Sequence, residues 1–414
     1  MPGFFYAIVL NECLFSYFNL HSMKYFISIF LIAVSLVLQA QSSRKLHFKS
    51  VLVDTHNDVL SSSVLDGDDI SQRLKNGHSD FFRWKDGGLD VQFFSVWTGE
   101  KARNAEGFYK DANQEIDSLD RLVERNPDKI MKAFTYADVK KGIRQKKLVA
   151  LIGVEGGHMI EDDMGKLEAL YNRGMRYMTL TWNNSTSWAT SARDEVQRPD
   201  SFKVKGLNEL GKEIVKKMND LGVMVDLSHV GEQTFYDAIA LTSKPVILSH
   251  SSVWSICPVF RNVKDEQIKA VAKNKGVICI NFYAGFIDSV FSRKIMELEA
   301  GEGKNLRDSL RKLNYDEAMM NKIRGELFHD KLKGYLPDVR KVVDHIDHIV
   351  KLAGVDYVGI GSDYDGISFP PKGLEDVTTY PLITEELKIR GYSNKAIKKI
   401  LGGNVLRVMK ANFR

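Results

Sequence analysis

Cysteine is scarce in this chain of 414 residues: only Cys13, Cys257 and Cys279 occur, and no two stand as CxxC. That excludes a thiolate zinc cluster and a disulfide-built scaffold, so any metal here must be held by histidine and carboxylate. Whether Cys257 and Cys279 pair is open at this level. A basic stripe with interleaved aromatics is also missing. The formal net charge is only +5, with Lys and Arg interspersed among Asp and Glu, which disfavours nucleic acid as a partner. No internal repeat or low-complexity linker divides the chain. At 44% hydrophobic and 27% charged, the composition is that of a folded protein with a sizeable core.

The N-terminus carries one apolar run, Tyr25 to Leu38, with Met23-Lys24 before it and Gln39-Ala40-Gln41-Ser42-Ser43 after it. A basic start, an apolar core and a small residue before a polar stretch read as a secretory signal peptide. It begins near Met23, and the mature chain starts near Gln41. Residues 1–22 read as an upstream extension. The run is too short for a membrane span, so none is expected after signal cleavage; an uncleaved anchor is the alternative. No lipobox cysteine follows. The expected location is periplasmic or secreted, and the expected catalytic domain covers residues 45–414.

Beyond residue 50, short apolar runs alternate with amphipathic stretches. The expected strands are Val51–Asp54, Leu89–Trp97, Leu148–Val154, Met175–Thr181, Val223–Leu227, Val246–Ser249, Val277–Asn281 and Tyr357–Gly361. Continuous apolar runs of this length suit parallel strands covered by helices. Helical patterning falls at Phe108–Arg125, Met164–Arg173, Leu207–Leu221, Gly231–Leu241 and Lys264–Lys275. This α/β alternation predicts a TIM-like (β/α)8 barrel in a single domain; an open doubly wound sheet fits the same count. The charged stretch Ala284–Arg340 reads as a helical insertion before the last strand.

Polar residues cluster at the C-terminal ends of these strands, where barrel enzymes keep their sites. The first strand runs into Asp54-Thr55-His56-Asn57-Asp58; residues two apart share a side, so His56 and Asp58 can reach one metal together. The third ends Val154-Glu155-Gly156-Gly157. A glutamate closing an apolar run is costly unless partnered, and it can bridge two metals, one on each oxygen. His158 lies past that turn and reads as structural. The fifth and sixth strands end Ser228-His229 and Ser249-His250. A single such histidine is ordinarily a satisfied core residue, but two at matching positions suit zinc. Asp363 in the last strand's GSDYDG faces the mouth and could manage protons for a metal-bound water; Asp365 fits a turn. Together they suffice for two metals sharing a bridging carboxylate and hydroxide.

At this point the chain resembles the membrane (renal-type) dipeptidase family of the metal-dependent hydrolases. The matches are VDTHND (53–58), GVEGGH (153–158), YMTLT (177–181), DLSHV (226–230), ILSHSS (247–252), RNV (261–263), NFY (281–283), GSDYDG (361–366), GLEDV (373–377) and GNVLRV (403–408). The resemblance implies two Zn2+: His56 and Asp58 on one, His229 and His250 on the other, and Glu155 bridging. It implies that Asp363 is the catalytic acid/base and that Arg261 binds the substrate's terminal carboxylate, a job suited to a bidentate guanidinium. The family often forms homodimers. One departure stands out. After YMTLT many relatives have a histidine that contacts substrate near the scissile carbonyl, whereas this chain has Trp182, followed by Asn183 and Asn184.

Three functions follow. The first is hydrolysis of dipeptides or close relatives, with a metal-bridging hydroxide as nucleophile. The second keeps barrel and metals but acts on another amide, a lactam or a lactone, because Trp182 offers one N–H and no charge. The third, a non-catalytic periplasmic binding protein, requires a broken metal site, and every candidate ligand is present.

Overall fold

The computed structural model describes residues 41–201, 205–315 and 317–413, so the expected signal peptide lies outside the described residues. The chain divides into two units, Met1–Lys49 and Ser50–Arg414. Of the first, residues 41–47 are helical. The second holds every strand among the described residues. No helix among the described residues is long and apolar enough to cross a membrane.

The strands are β1 (Val53–Asp54), β2 (Val91–Val96), β3 (Ile130–Lys132), β4 (Leu148–Glu155), β5 (Met175–Thr179), β6 (Met224–Asp226), β7 (Ile247–Ser251), β8 (Val277–Ile280) and β9 (Val358–Ile360). All pairings are parallel, and β1–β9 and β2–β4 close the sheet on itself. The barrel therefore runs β1-β2-β4-β5-β6-β7-β8-β9, the eight strands expected from the apolar runs. All eight residues of β4 are buried, as a strand between a filled barrel and a ring of helices requires.

One strand went unanticipated. β3 pairs with Leu148–Ala150 at the start of β4, on the edge that β5 takes from Ile152 onward. Only three residues long and half-buried at Met131 and Lys132, it carries no apolar run that could announce it. The insertion between β8 and β9 is helical, at Ala284–Ile287, Ser289–Leu298, Lys304–Lys312 and Glu317–Leu332. Phe291, Ile295, Phe328 and Leu332 gather there around Phe369 into a small core of their own. Cys257 and Cys279 are both buried and free.

Where β4 meets β5, the register shifts between Ile152 and Gly153. A Cβ on Gly153 would come within 1.9 Å of the Tyr177 ring, so only glycine lets that phenol stand inside the barrel.

Helix Val339–Ala353 buries Val342, Val343, Ile346 and Ile349 together with His345. His345 accepts the Val253 N–H at Nδ1 (2.9 Å) and donates from Nε2 to Ile287 O (2.9 Å). It thereby ties this helix to the loop after β7 and to the insertion. Burial pulls its imidazole down to about 4, outweighing the donation to Ile287 that would raise it. The folded state thus holds the ring neutral. The stability gained is complete above the unfolded value of 6.5 and is lost as pH falls through about 4. Denaturant titrations of His345→Gln and the parent at about pH 7.5 and about pH 5 should show the variant losing roughly 2 kcal/mol less over that interval. Equal losses would mean that His345 does not carry this pH dependence.

Candidate metal centre

The C-terminal ends of β1, β4, β6, β7 and β9 point five side chains and Asp363 at one spot. Glu155 closes β4, is 4% exposed, and offers its two oxygens in opposite directions. Its Oε1 lies 2.9 Å from His229 Nε2 and 3.3 Å from His250 Nε2. Its Oε2 lies 3.4 Å from His56 Nε2, which is itself 3.4 Å from Asp58 Oδ2. The two sets share only the glutamate. Groupings of potential ligand atoms within 4.8 Å are His56–Glu155–His250 and His56–Asp58–Asp363. The first cuts across the two sets, since His250 stacks 3.8 Å from His56; distances to the individual carboxylate oxygens separate them.

Hydrogen bonds behind the rings set the tautomers. Tyr177 donates to Thr55 O (3.1 Å) and so accepts from His56 Nδ1 (2.7 Å). Ser249 Oγ donates to Asp226 Oδ2 (2.6 Å) and so accepts from His250 Nδ1 (2.8 Å). Asn183 Oδ1 accepts from His229 Nδ1 (3.1 Å). Each ring therefore directs its Nδ1–H outward and its Nε2 inward, as a lone pair on His229 and His250. These two Nε2 atoms lie only 2.9 Å apart. Two lone pairs and a carboxylate oxygen so close repel unless a cation sits among them, and His56 Nε2 and Asp58 Oδ1 have no hydrogen-bond partner among the described residues. This donor set, three imidazoles and carboxylate oxygens, is the chemistry that zinc takes.

The electrostatics agree. Burial would raise the Glu155 carboxyl, yet its neighbours, the charge of His56 first, hold it well below the usual carboxylate range. Burial would lower His56, but Tyr177, Glu155 and Asp58 hold it well above its ordinary value. Burial pulls His229 down to about 3, and His250 well below its ordinary value. The pocket thus favours positive charge between its carboxylates. Burial and the neighbouring Asp58 push the Asp363 carboxyl well up; its Oδ2 accepts from Asn281 Nδ2 at 2.7 Å.

Two further carboxylates hold the ring of ligands in shape, one at the end of β1 and one at the end of β6. Asp226 accepts Ser228 N, Ser249 N and Ser249 Oγ at 3.0, 2.9 and 2.6 Å. Asp54 accepts His56 N, Ser362 N and Ser362 Oγ at 3.3, 2.9 and 2.6 Å. Each fastens its strand to a serine on the neighbouring one, and that serine immediately precedes a site residue, His250 or Asp363. His229 and Asp363 adopt left-handed backbone (φ 65° and 63°), a strained conformation kept only where the surroundings enforce it. A Cβ on Gly366 would fall 2.2 Å from Asp58 Oδ2 and 2.5 Å from Asp363 Oδ1, so glycine there leaves room for both carboxylates.

Arg261 is 5% exposed. Its guanidinium lies 5.4 Å over the Phe286 ring and donates to His250 O (3.3 Å), while Nη1 has no partner among the described residues. Burial draws it down to about 10, so it remains charged near neutral pH. Asp365 takes the His78 N–H (2.7 Å) in a turn, and His158 donates to Thr98 O (3.2 Å) away from the centre. Trp182 stands beside the site, its ring 6.3 Å from that of His229. Sequence reasoning did not assign Tyr177, Asp54, Asp226, Ser249, Ser362 or Asn281; the repeated serine just before a site residue was the available signal.

This architecture recurs in solved structures. The probable dipeptidase PvdM from Pseudomonas aeruginosa is 24% identical, with 90% of this chain and 98% of that one aligned at a TM-score of 0.74. A metallopeptidase from Rhodobacter sphaeroides, liganded with a phosphinate mimic of the dipeptide L-Ala-D-Ala, is 22% identical over 88% of this chain and all (100%) of that one, at 0.70. Dipeptidase AC, of family M19, is 23% identical over 88% and 99%, at 0.71. At such identities these likenesses establish the fold. The sequence profile of the membrane dipeptidases goes further, matching residues 40–413. With a barrel closed around converging imidazoles and carboxylates, and that profile running through all of it, this chain belongs to the membrane dipeptidase family, peptidase family M19, and is a metal-dependent hydrolase.

Proposed function

We propose that this chain is a two-zinc dipeptidase. His56 and Asp58 would hold one ion, His229 and His250 the other, and Glu155 would bridge them. The observation carrying this reading is the pair of donor sets, each gathered on its own oxygen of one buried glutamate. When bound, such a pair supplies an acidified water and polarises the scissile carbonyl. The protein's own groups do the rest. Arg261 grips the substrate's C-terminal carboxylate through its unspent Nη1. Asp363, anchored at Oδ2 by Asn281, takes a proton at Oδ1 and returns it to the departing amine nitrogen. Secretion, with a mature chain starting near Gln41, completes the proposal.

Metal analysis of the mature protein should find close to two zinc ions per chain, and Glu155→Gln should retain fewer. Dipeptides with a free C-terminal carboxylate should be cleaved and their C-terminal amides poorly. No turnover across a broad panel, including D-residues at the second position, would sink this reading. Asp363→Asn should lower kcat by about a hundredfold or more. Arg261→Leu should act mainly through KM, raising it by about tenfold or more for free dipeptides while leaving amidated ones nearly unaffected.

A second reading, in which the substrate is a different amide, a lactam or a lactone, draws on Trp182, whose indole borders His229 where the family resemblance implies a histidine. Its test is Trp182→His. Gain of dipeptide turnover supports it, and an unchanged substrate profile counts against it.

A further inference from the structure

Phe93 and Ser95 share one face of β2, and Trp97 follows just past the strand's end. Phe93 packs on Tyr177 inside the barrel (5.2 Å), and Ser95 Oγ lies 3.4 Å from Glu155 Oε2. Trp97 thus stands one step nearer the mouth than these two. Its indole meets Trp182 edge to face at 5.2 Å and 62°, and Trp182 reaches to 6.3 Å from His229. Both indoles are buried except for 8% of their surface. Trp97 Nε1 has no hydrogen-bond partner among the described residues.

The backbone behind this wall is fixed by charges that spend themselves on each other. Trp97 N donates to Glu115 Oε2 (2.9 Å), Arg103 Nη1 donates to Trp97 O (3.0 Å), and Arg103 pairs with Glu115. The wall itself presents rings and indole N–H groups, with no charge.

Strand order fixes what this wall faces. Around the closed barrel, β2 lies four places from β7 in either direction. Trp97, just after β2, and Arg261, in the loop after β7, are thus diametrically opposed, with Glu155 and the imidazoles between them. A dipeptide whose carboxylate rests on Arg261 lays its N-terminal residue against the two indoles.

Resting on the dipeptidase reading above, we infer that Trp97 and Trp182 form an aromatic subsite for the N-terminal side chain, selecting dipeptides that begin with Phe, Tyr or Trp. A ring there gains apolar burial and edge-to-face contact. A Lys or Glu side chain would leave water for a wall with no counter-charge.

Binding and turnover test the two claims separately. Calorimetry on the metal-loaded protein would compare two phosphinate dipeptide mimics differing only in benzyl against methyl at the N-terminal side chain. The benzyl mimic should bind about tenfold tighter or better, and equal or weaker binding overturns the subsite whatever the turnover. Turnover of Phe–Ala, Ala–Ala and Lys–Ala reads the same preference in kcat/KM. Loss of all turnover strikes the dipeptidase reading alone, since the binding ratio still decides the subsite. Trp97→Ala and Trp182→Ala should collapse the benzyl-to-methyl ratio towards one, and Trp182→Phe should keep most of it. A ratio preserved in both alanine variants places the side chain elsewhere and refutes the assignment.

Discussion

The mouth of this barrel is organised around one buried carboxylate. Glu155 could not remain ionised at 4% exposure on its own, because burying an unpaired charge costs several kcal/mol. The positive charge that His56 holds beside it offsets this on one side, and on the other the lone pairs of His229 and His250 call for a cation. Because each imidazole proton is directed outward to Tyr177, Asn183 or Ser249, the inward side is left rich in lone pairs. The resulting pocket is buried, electron-rich and shaped for cations. The fold contributes the directions: parallel strands in a closed barrel deliver every C-terminal end to the same rim, so residues distant in the chain meet without any long-range loop.

Much of this was legible in the sequence because the signals were of the kinds that physics makes loud. Eight buried strands need eight apolar runs, and those runs located them within a few residues. His56, Asp58, Glu155, His229, His250 and Asp363 stood out because polar groups at the ends of apolar runs need a reason to be there, whereas Arg261 was singled out only by the family resemblance. What stayed silent was equally physical. β3 is short and half-buried, so it lacks an apolar run. Tyr177 sits in the middle of a strand and reads as core packing; only the neighbouring Gly153, whose missing Cβ admits the phenol, turns it into a partner of His56. Asp54 and Asp226 drew no assignment in sequence, because their bonds run sideways to serines on adjacent strands, a pairing that only the fold creates.

The insertion adds a separate layer. Its helices have their own small core around Phe369, and a contact reaches the loop after β2, where a Cβ on Gly99 would come 2.9 Å from Glu317 Cβ. Material placed between β8 and β9 thus touches the segment that follows Trp97, so the insertion and the aromatic wall are neighbours despite their separation in sequence.

The paired fastenings made by Asp54 and Asp226 carry one more consequence. They hold the rim with hydrogen bonds among protein atoms alone, so the backbone frame that carries the ligands does not depend on an ion. Withdrawing the metal should leave the frame standing, and one divalent ion should exchange for another without refolding. Catalytic geometry would then be a property of the polypeptide, with the ions as its replaceable inserts.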